Sequence, residues 1–436
     1  MNSPANGPID VILVGVGHRT VTYARYAQTR PDEMRVVAVV DPDPVRREQV
    51  SEQFGIAEDR RYEWIADLPA EQLGRAAING TMDDIHVETS LELLERGYDL
   101  LLEKPISLEA ATMMQLQRRA DELGRTVVVC HVLRHAPFYS AIKERLAAGE
   151  IGEVVTVDMA EMVAYDHMAT SYVRGRWRSE ESCGSSFLMA KSCHDMDLMS
   201  WFAQPAAPVK ATSTGARKFF TEQNAPEGSG SRCLVDCQIE STCPFSARRI
   251  HVEQNRHTFY AWEPLEHLGR PPTTEEKLES LRTDNPYGRC VWRCDNDVAD
   301  RQSVAVEFDN GSTGNLTLVG TAAKGDRTVH IVGTRGEIIG SLHEQSFVLR
   351  RFDAGPQPYT EEVVSTVPVD DGQYASHGHG GGDLRLVEDF VKVLNGGTPT
   401  LSTTSLADSV NGHLAGFAAE QGRLEGRWVE LSELRS

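Results

Sequence analysis

Val11-Ile12-Leu13-Val14-Gly15-Val16-Gly17-His18-Arg19-Thr20 decides how this chain folds. Its four apolar residues read as a buried strand, the glycine turn follows at once, and a helix-compatible segment runs on to about Thr29. Strand, tight turn and helix in that order make a dinucleotide site. Gly15 permits the turn, and Gly17 lets backbone amides approach a pyrophosphate at the helix N-terminus, with His18 and Arg19 beside it. Thr20 stands where the usual fingerprint has its third glycine.

A second strand, Arg35–Val40, ends at Asp41. A carboxylate there accepts bonds from adenosine ribose hydroxyls and repels a 2′-phosphate, which favours NAD; Arg46 and Arg47 follow closely and leave NADP as the alternative. The βα rhythm continues with a strand at Ala76–Gly80, a helix at Ile85–Arg96, a strand at Tyr98–Leu102, a helix at Leu108–Leu123 and a strand at Val127–His131. Such alternation predicts a parallel, doubly wound sheet with right-handed crossovers. Asn79 and Thr81, at the end of the third of these strands, are expected to face the cofactor. Leu100-Leu101-Leu102-Glu103-Lys104-Pro105 then carries a buried strand straight into a turn, which sets Glu103 and Lys104 at the crevice beyond the strand ends. A lysine held there stabilises charge on a substrate oxygen as a hydride leaves.

With 436 residues the chain exceeds one ordinary core, so two domains are expected, at 1–133 and 134–436. No apolar run reaches the length of a membrane span, and the first residues lack a signal-peptide pattern, which predicts a cytoplasmic protein. A formal charge of −20 argues against nucleic-acid or membrane-surface partners, both of which want a basic face. After Gly152 the texture changes. Strands at Glu153–Val163, Ser303–Phe308, Gly314–Val319, Thr328–Gly333 and Glu337–Ser341 predict a largely antiparallel open sheet in an α+β domain, closed by helices at Leu384–Leu394 and Leu406–Gln421. Residues 219–295, polar and rich in proline and cysteine, form an irregular insertion with its own structure.

Taken together, Gly15-Val16-Gly17, Asp41, Glu103-Lys104-Pro105 and a later helix start at His194-Asp195-Met196-Asp197 resemble the glucose–fructose oxidoreductase / inositol dehydrogenase (Gfo/Idh/MocA) family. The resemblance implies a Rossmann domain followed by an open-sheet domain, a sugar or polyol bound between them, oxidation or reduction of a carbinol with NAD or NADP, and dimers or tetramers formed through the second sheet. In that family a lysine and a histidine flank the reacting carbon, and these fall on Lys104 and His194. Many members carry an aspartate four residues before the histidine; here that position is Ala190, followed by Lys191. A dehydrogenase is the leading expectation. The family also implies an alternative, a glycosidase that borrows a hydride through bound NAD, and more distantly a non-catalytic NAD or sugar sensor.

His194 titrates near working pH and is expected to move the proton; a helix N-terminal residue bonded to backbone is its plainer alternative. Asp195 either binds substrate or caps the helix. Lys191, one turn from His194 and a third catalytic candidate, joins Arg174, Arg176 and Arg178 in a basic cluster that is expected to grip an anionic sugar, unless these groups pair with neighbouring acids. Arg134, Tyr165, His167 and Trp177 are assigned to the same substrate site. Cys233, Cys237 and Cys243 suggest a structural zinc, with free thiols or a disulfide as competitors. Finally, the glycine-rich run His377–Asp383 is expected to be a flexible loop near the cleft.

Overall fold

A computed structural model describes residues 7–367 and 379–435. Six short strands, β1 (Ile9–Val14), β2 (Met34–Val40), β3 (Arg61–Tyr62), β4 (Ala76–Asn79), β5 (Asp99–Leu102) and β6 (Val127–Val129), pair in parallel in the order β3-β2-β1-β4-β5-β6. Their side chains are almost entirely buried, because helices cover both faces of a parallel sheet. One cover is remote in sequence. The helix Gly382–Leu394 packs Leu384, Leu386, Val387 and Phe390 against Val11, Leu13 and Ile78. The first helix is shorter than expected: it spans His18–Ala24, and a separate turn at Tyr26–Thr29 follows.

The second sheet has nine strands: β7 (Val154–Ala164), β8 (Pro208–Ala216), β9 (Arg301–Phe308), β10 (Thr313–Ala322), β11 (Asp326–Gly333), β12 (Gly336–Ser341), β13 (Ser346–Phe352), β14 (Tyr359–Ser365) and β15 (Val429–Glu430). They run in the order β14-β13-β12-β11-β7-β10-β9-β8-β15, antiparallel throughout except where β10 meets β7. β8, β13 and β14 were not legible in the pattern. β8 is made of small and polar residues, and β13 and β14 carry Arg350 and Arg351 against Glu361 and Glu362, so neither shows a clean apolar alternation.

Between the sheets lies the helix Phe187–Ala203, in which only Lys191 escapes full burial. A helix buried all round, polar residues included, has no apolar stripe to reveal it. Its cap is Ser186, whose hydroxyl accepts from Met189 N at 3.2 Å, so His194 and Asp195 sit mid-helix and not in the expected first turn. The insertion folds around a core of its own, made by Cys233, Ala247, Ala261, Trp262, Leu281 and Tyr287. Among the described residues no helix is long and apolar enough to cross a membrane.

Candidate active site

The strand ends of the parallel sheet build one wall of the site. Gly15 has φ +70°, and a Cβ there would lie 2.7 Å from Thr81 Cα, so only glycine fits the turn. A Cβ on Gly17 would meet nothing within 4 Å, and no side chain caps the helix that begins at His18; backbone amides and open space are what a pyrophosphate needs. Thr20, in place of the third glycine, donates its hydroxyl to Gly15 O at 2.5 Å and so braces the turn. Asp41 accepts from Val16 N at 2.7 Å and Asp43 N at 2.8 Å, leaving its remaining lone pairs for a ribose. Arg46 is engaged by Glu263 and Glu266 of the insertion, and Arg47 donates to Asp41 O. Asn79 is fully buried; it accepts from Thr81 through Oδ1 and donates to Thr89 and Ser90.

Glu103 accepts from Arg19 Nε at 2.8 Å, Tyr23 OH at 2.9 Å and Lys104 N at 2.5 Å. Burial works against its charge, but Arg19 and Lys104 pull the carboxyl down to about 2. Arg19 also bonds Asp383 at 2.7 Å, tying the turn to the helix Gly382–Leu394. The chain beyond Lys104 is pinned twice, by His86 Nδ1 on Pro105 O at 2.7 Å and by Ile106 N donating to His413 Nε2 at 3.1 Å. So fixed, Lys104 Nζ reaches across to Ala190 O at 3.1 Å. Burial favours the neutral amine, yet the surrounding Cys193, Glu103 and Asp83 hold the ammonium above its ordinary value. His18, in the same wall, is pushed down to about 4 by burial and Arg19.

The other wall comes from the second domain. His194 is held well below its ordinary value by burial, then by Lys104 and His131, and stays neutral. Lys191 lies 3.5 Å from Glu161, which pairs at 2.5 Å with Arg327, and Arg327 donates to Asp195 at 2.9 Å. Burial pushes the Lys191 ammonium down. A cleft of about 470 Å³ separates the walls and is lined by His18, Arg19, Thr81, Glu103, Lys104, Lys191 and His194. His167, Arg176 and Trp177 join them there; so do His379 and Asp383 of the glycine-rich run expected near the cleft, and His257, Phe259, Tyr260 and Arg327, which were not anticipated. Arg327 betrays itself only as a charge inside a strand, and Asp383 only as an acid after a glycine run. His377 and Gly378 of that run lie outside the described residues; the His379 ring stands 6.0 Å from that of His194.

Several expected substrate ligands face elsewhere. Arg134 is buried in a two-bond pair with Asp197, at 2.7 and 2.6 Å. Arg174, also fully buried, donates to Arg289 O and Phe245 O at 2.7 Å each and so staples the insertion to the body. Arg178 pairs with Asp295 at 3.0 Å, and Arg176, which lines the cleft, with Glu263 at 2.8 Å. Tyr165 packs edge-on against Phe245. Asp195 serves Arg327. The zinc expectation is overturned: among the described residues no three histidine, cysteine or acidic groups are placed to hold a metal, and all eight cysteines are free thiols. Physically, the Arg174 guanidinium lies 3.5 Å from Cys233 Sγ and already supplies positive charge among these sulfurs.

Comparison with known proteins accords with this geometry. Residues 9–131 match the oxidoreductase family with an NAD-binding Rossmann fold, and residues 143–431 match its C-terminal alpha/beta domain. YteT of Bacillus subtilis (strain 168) is 26% identical over 326 residues, which cover 71% of this chain and 70% of that protein. An NAD-dependent scyllo-inositol 2-dehydrogenase of the same organism is 28% identical over 145 residues, 33% of this chain and 41% of its own. Levoglucosan dehydrogenase, solved with NADH and levoglucosan, shares the fold with a TM-score of 0.68, at 15% identity over 97% of this chain and 99% of that one. With both domains matched in order across the parallel sheet, the Glu103-Lys104-Pro105 turn and the open sheet, the chain belongs to the Gfo/Idh/MocA oxidoreductase family.

Proposed function

We propose that this protein oxidises a ring carbinol of a neutral sugar or cyclic polyol, with NAD as the hydride acceptor. The observation that carries the reading is the meeting of a charged Lys104 and a neutral His194 in one cleft at the end of β5. Bound NAD supplies the ring that takes the hydride. Gly15, Gly17 and Thr81 would hold its phosphates and Asp41 its ribose, while the engagement of Arg46 and Arg47 by protein groups disfavours a 2′-phosphate. Lys104 binds the carbinol oxygen and stabilises the negative charge that grows on it. His194, held neutral, accepts the hydroxyl proton. Four of the cations lining the cleft stand beside a carboxylate, Arg19 by Glu103, Lys191 by Glu161, Arg176 by Glu263 and Arg327 by Asp195, and the Glu103 charge also acts on Lys104. That balance supports an uncharged substrate over an acidic one, and a relative named for scyllo-inositol is in keeping with it.

A second reading, the hydride-borrowing glycosidase, has its own support. The insertion crosses the nucleotide side of the cleft. Glu263 and Glu266 hold Arg46 at 3.0 and 2.7 Å, and the Phe259 ring lies 4.8 Å from His18. Such a strap suits a cofactor that stays bound through many turnovers. One experiment separates the readings: NAD or NADP is incubated with neutral and acidic sugars, inositols and their glycosides, and reduced nicotinamide and released aglycone are followed together. Reduced NAD accumulating with a neutral sugar supports the dehydrogenase; NAD-dependent aglycone release without net reduction supports the glycosidase. No reaction of either kind across the panel removes both.

A further inference from the structure

One hydride abstraction from a carbinol releases one proton, and Lys104 with His194 suffices for it. The cleft nonetheless holds further imidazoles, and one of them stands on a wall made by other elements. His257, the residue before the short helix Thr258–Ala261 of the insertion, places Nε2 2.9 Å from Oδ2 of Asp166. Asp166 is fully buried in the turn Tyr165–Met168, and its other oxygen, Oδ1, has no hydrogen-bond partner among the described residues. Arg256 reaches the same carboxylate at 2.7 Å. His257 is in addition held in the left-handed region, at φ 53°, a conformation strained for a residue with a β-carbon and one that clusters at functional sites. Its ring stacks at 5.2 Å on that of His167, and both rings line the cleft that contains Lys104 and His194. An imidazole with one nitrogen fixed by a buried carboxylate and its ring facing a substrate cleft is the arrangement of a general base.

We propose that His257, oriented by Asp166, is a second catalytic base in this cleft, which takes a proton from the carbon next to the newly formed carbonyl. The C–H bond breaks, its proton goes to the free imidazole nitrogen, and its electron pair moves into the carbonyl to give an enediolate; return of a proton from imidazolium restores the ketone. Substrates of this class carry hydrogen on the carbon beside the oxidised carbinol. Reprotonation on the other face inverts that carbon, and an oxygen substituent one carbon further on can leave with the electron pair. The inference rests on the hydride-transfer reading, because the ketone arises in this cleft only by oxidation of the carbinol with the nicotinamide cofactor.

The test supplies the ketone directly. The full-length protein is incubated in heavy water with keto-inositols and 3-keto-glucosides, and deuterium entering the carbons beside the carbonyl is followed by NMR. In parallel, oxidation of NADH by the same ketones is measured. Wild-type protein is expected to exchange these positions faster than buffer, and His257→Gln to lower the ratio of exchange to NADH oxidation by about a hundredfold, within the usual range for loss of a general base. His257→Ala is expected to regain exchange when free imidazole is added. Exchange no faster than buffer in the wild-type protein, or an unchanged ratio in both variants, overturns the inference alone. Failure of every ketone to oxidise NADH, and of every carbinol to reduce NAD, instead removes the hydride-transfer reading and the inference with it.

Discussion

The two walls of the cleft are built in different ways. On the parallel-sheet side, Gly15, Gly17, Thr81, Glu103 and Lys104 are placed by their own strand ends, and the backbone around each settles where it points. On the other side, Glu161, Lys191, Asp195, His257 and Arg327 come from a strand, a buried helix, an insertion and a second strand, and they are placed by ion pairs between residues far apart in sequence. The first wall therefore depends on local geometry. The second depends on charges that burial makes costly to leave alone.

Loss of Lys104 is expected to break the first wall most severely. Lys104→Ala should lower kcat by about 10²–10⁴-fold, because it removes the cation that meets the developing oxyanion, while NAD still binds. Steady-state kinetics with a nucleotide titration checks this, and a loss of only a few-fold would argue that the strand end is not the chemical centre. On the second wall's side of the molecule, Arg134→Met leaves Asp197 buried without its partner and should cost about 3–5 kcal/mol in denaturant unfolding. Since Arg134 does not line the cleft, KM in the folded fraction should not move.

The pH profile sharpens the contrast further. His194 acts as its neutral form, and burial with Lys104 lowers its protonation below the ordinary value of 6.5. As pH falls, activity should therefore persist through 6.5 and be lost only below it. A limb of kcat/KM at or above 6.5 would place the titrating base elsewhere. The smallest effect is expected from Arg178→Ala. Its pair with Asp295 is largely solvated, so stability should change by less than about 1 kcal/mol and substrate affinity not at all.

How much could be read in advance follows the same division. Val11–Thr20, Asp41 and Leu100–Pro105 were legible because strand, turn and residue type lie within a few positions of one another. His194 was found through its motif, but its place in the helix was not, since Ser186 caps eight residues upstream and a uniformly buried helix has no periodic stripe. Arg174, Arg176 and Arg178 looked like a basic grip because sequence shows charges without their partners; Arg289 O, Phe245 O, Glu263 and Asp295 are 71 to 117 positions away, in a separately folded insertion. The cysteines misled for a similar reason. Cys233, Cys237, Cys243 and Cys290 do line one small cavity, but Arg174 lines it with them. His257 and Asp166 gave no signal at all, being 91 residues apart.

The central claim is that hydride leaves a carbinol carbon beside Lys104 and His194. Inositols and neutral sugars deuterated at their carbinol carbons should transfer that deuterium to NAD, and mass analysis of the nicotinamide should find it in the wild-type protein and lose it in Lys104→Ala. Turnover of any of these compounds with no deuterium on the nicotinamide, whether free or protein-bound, would contradict the account.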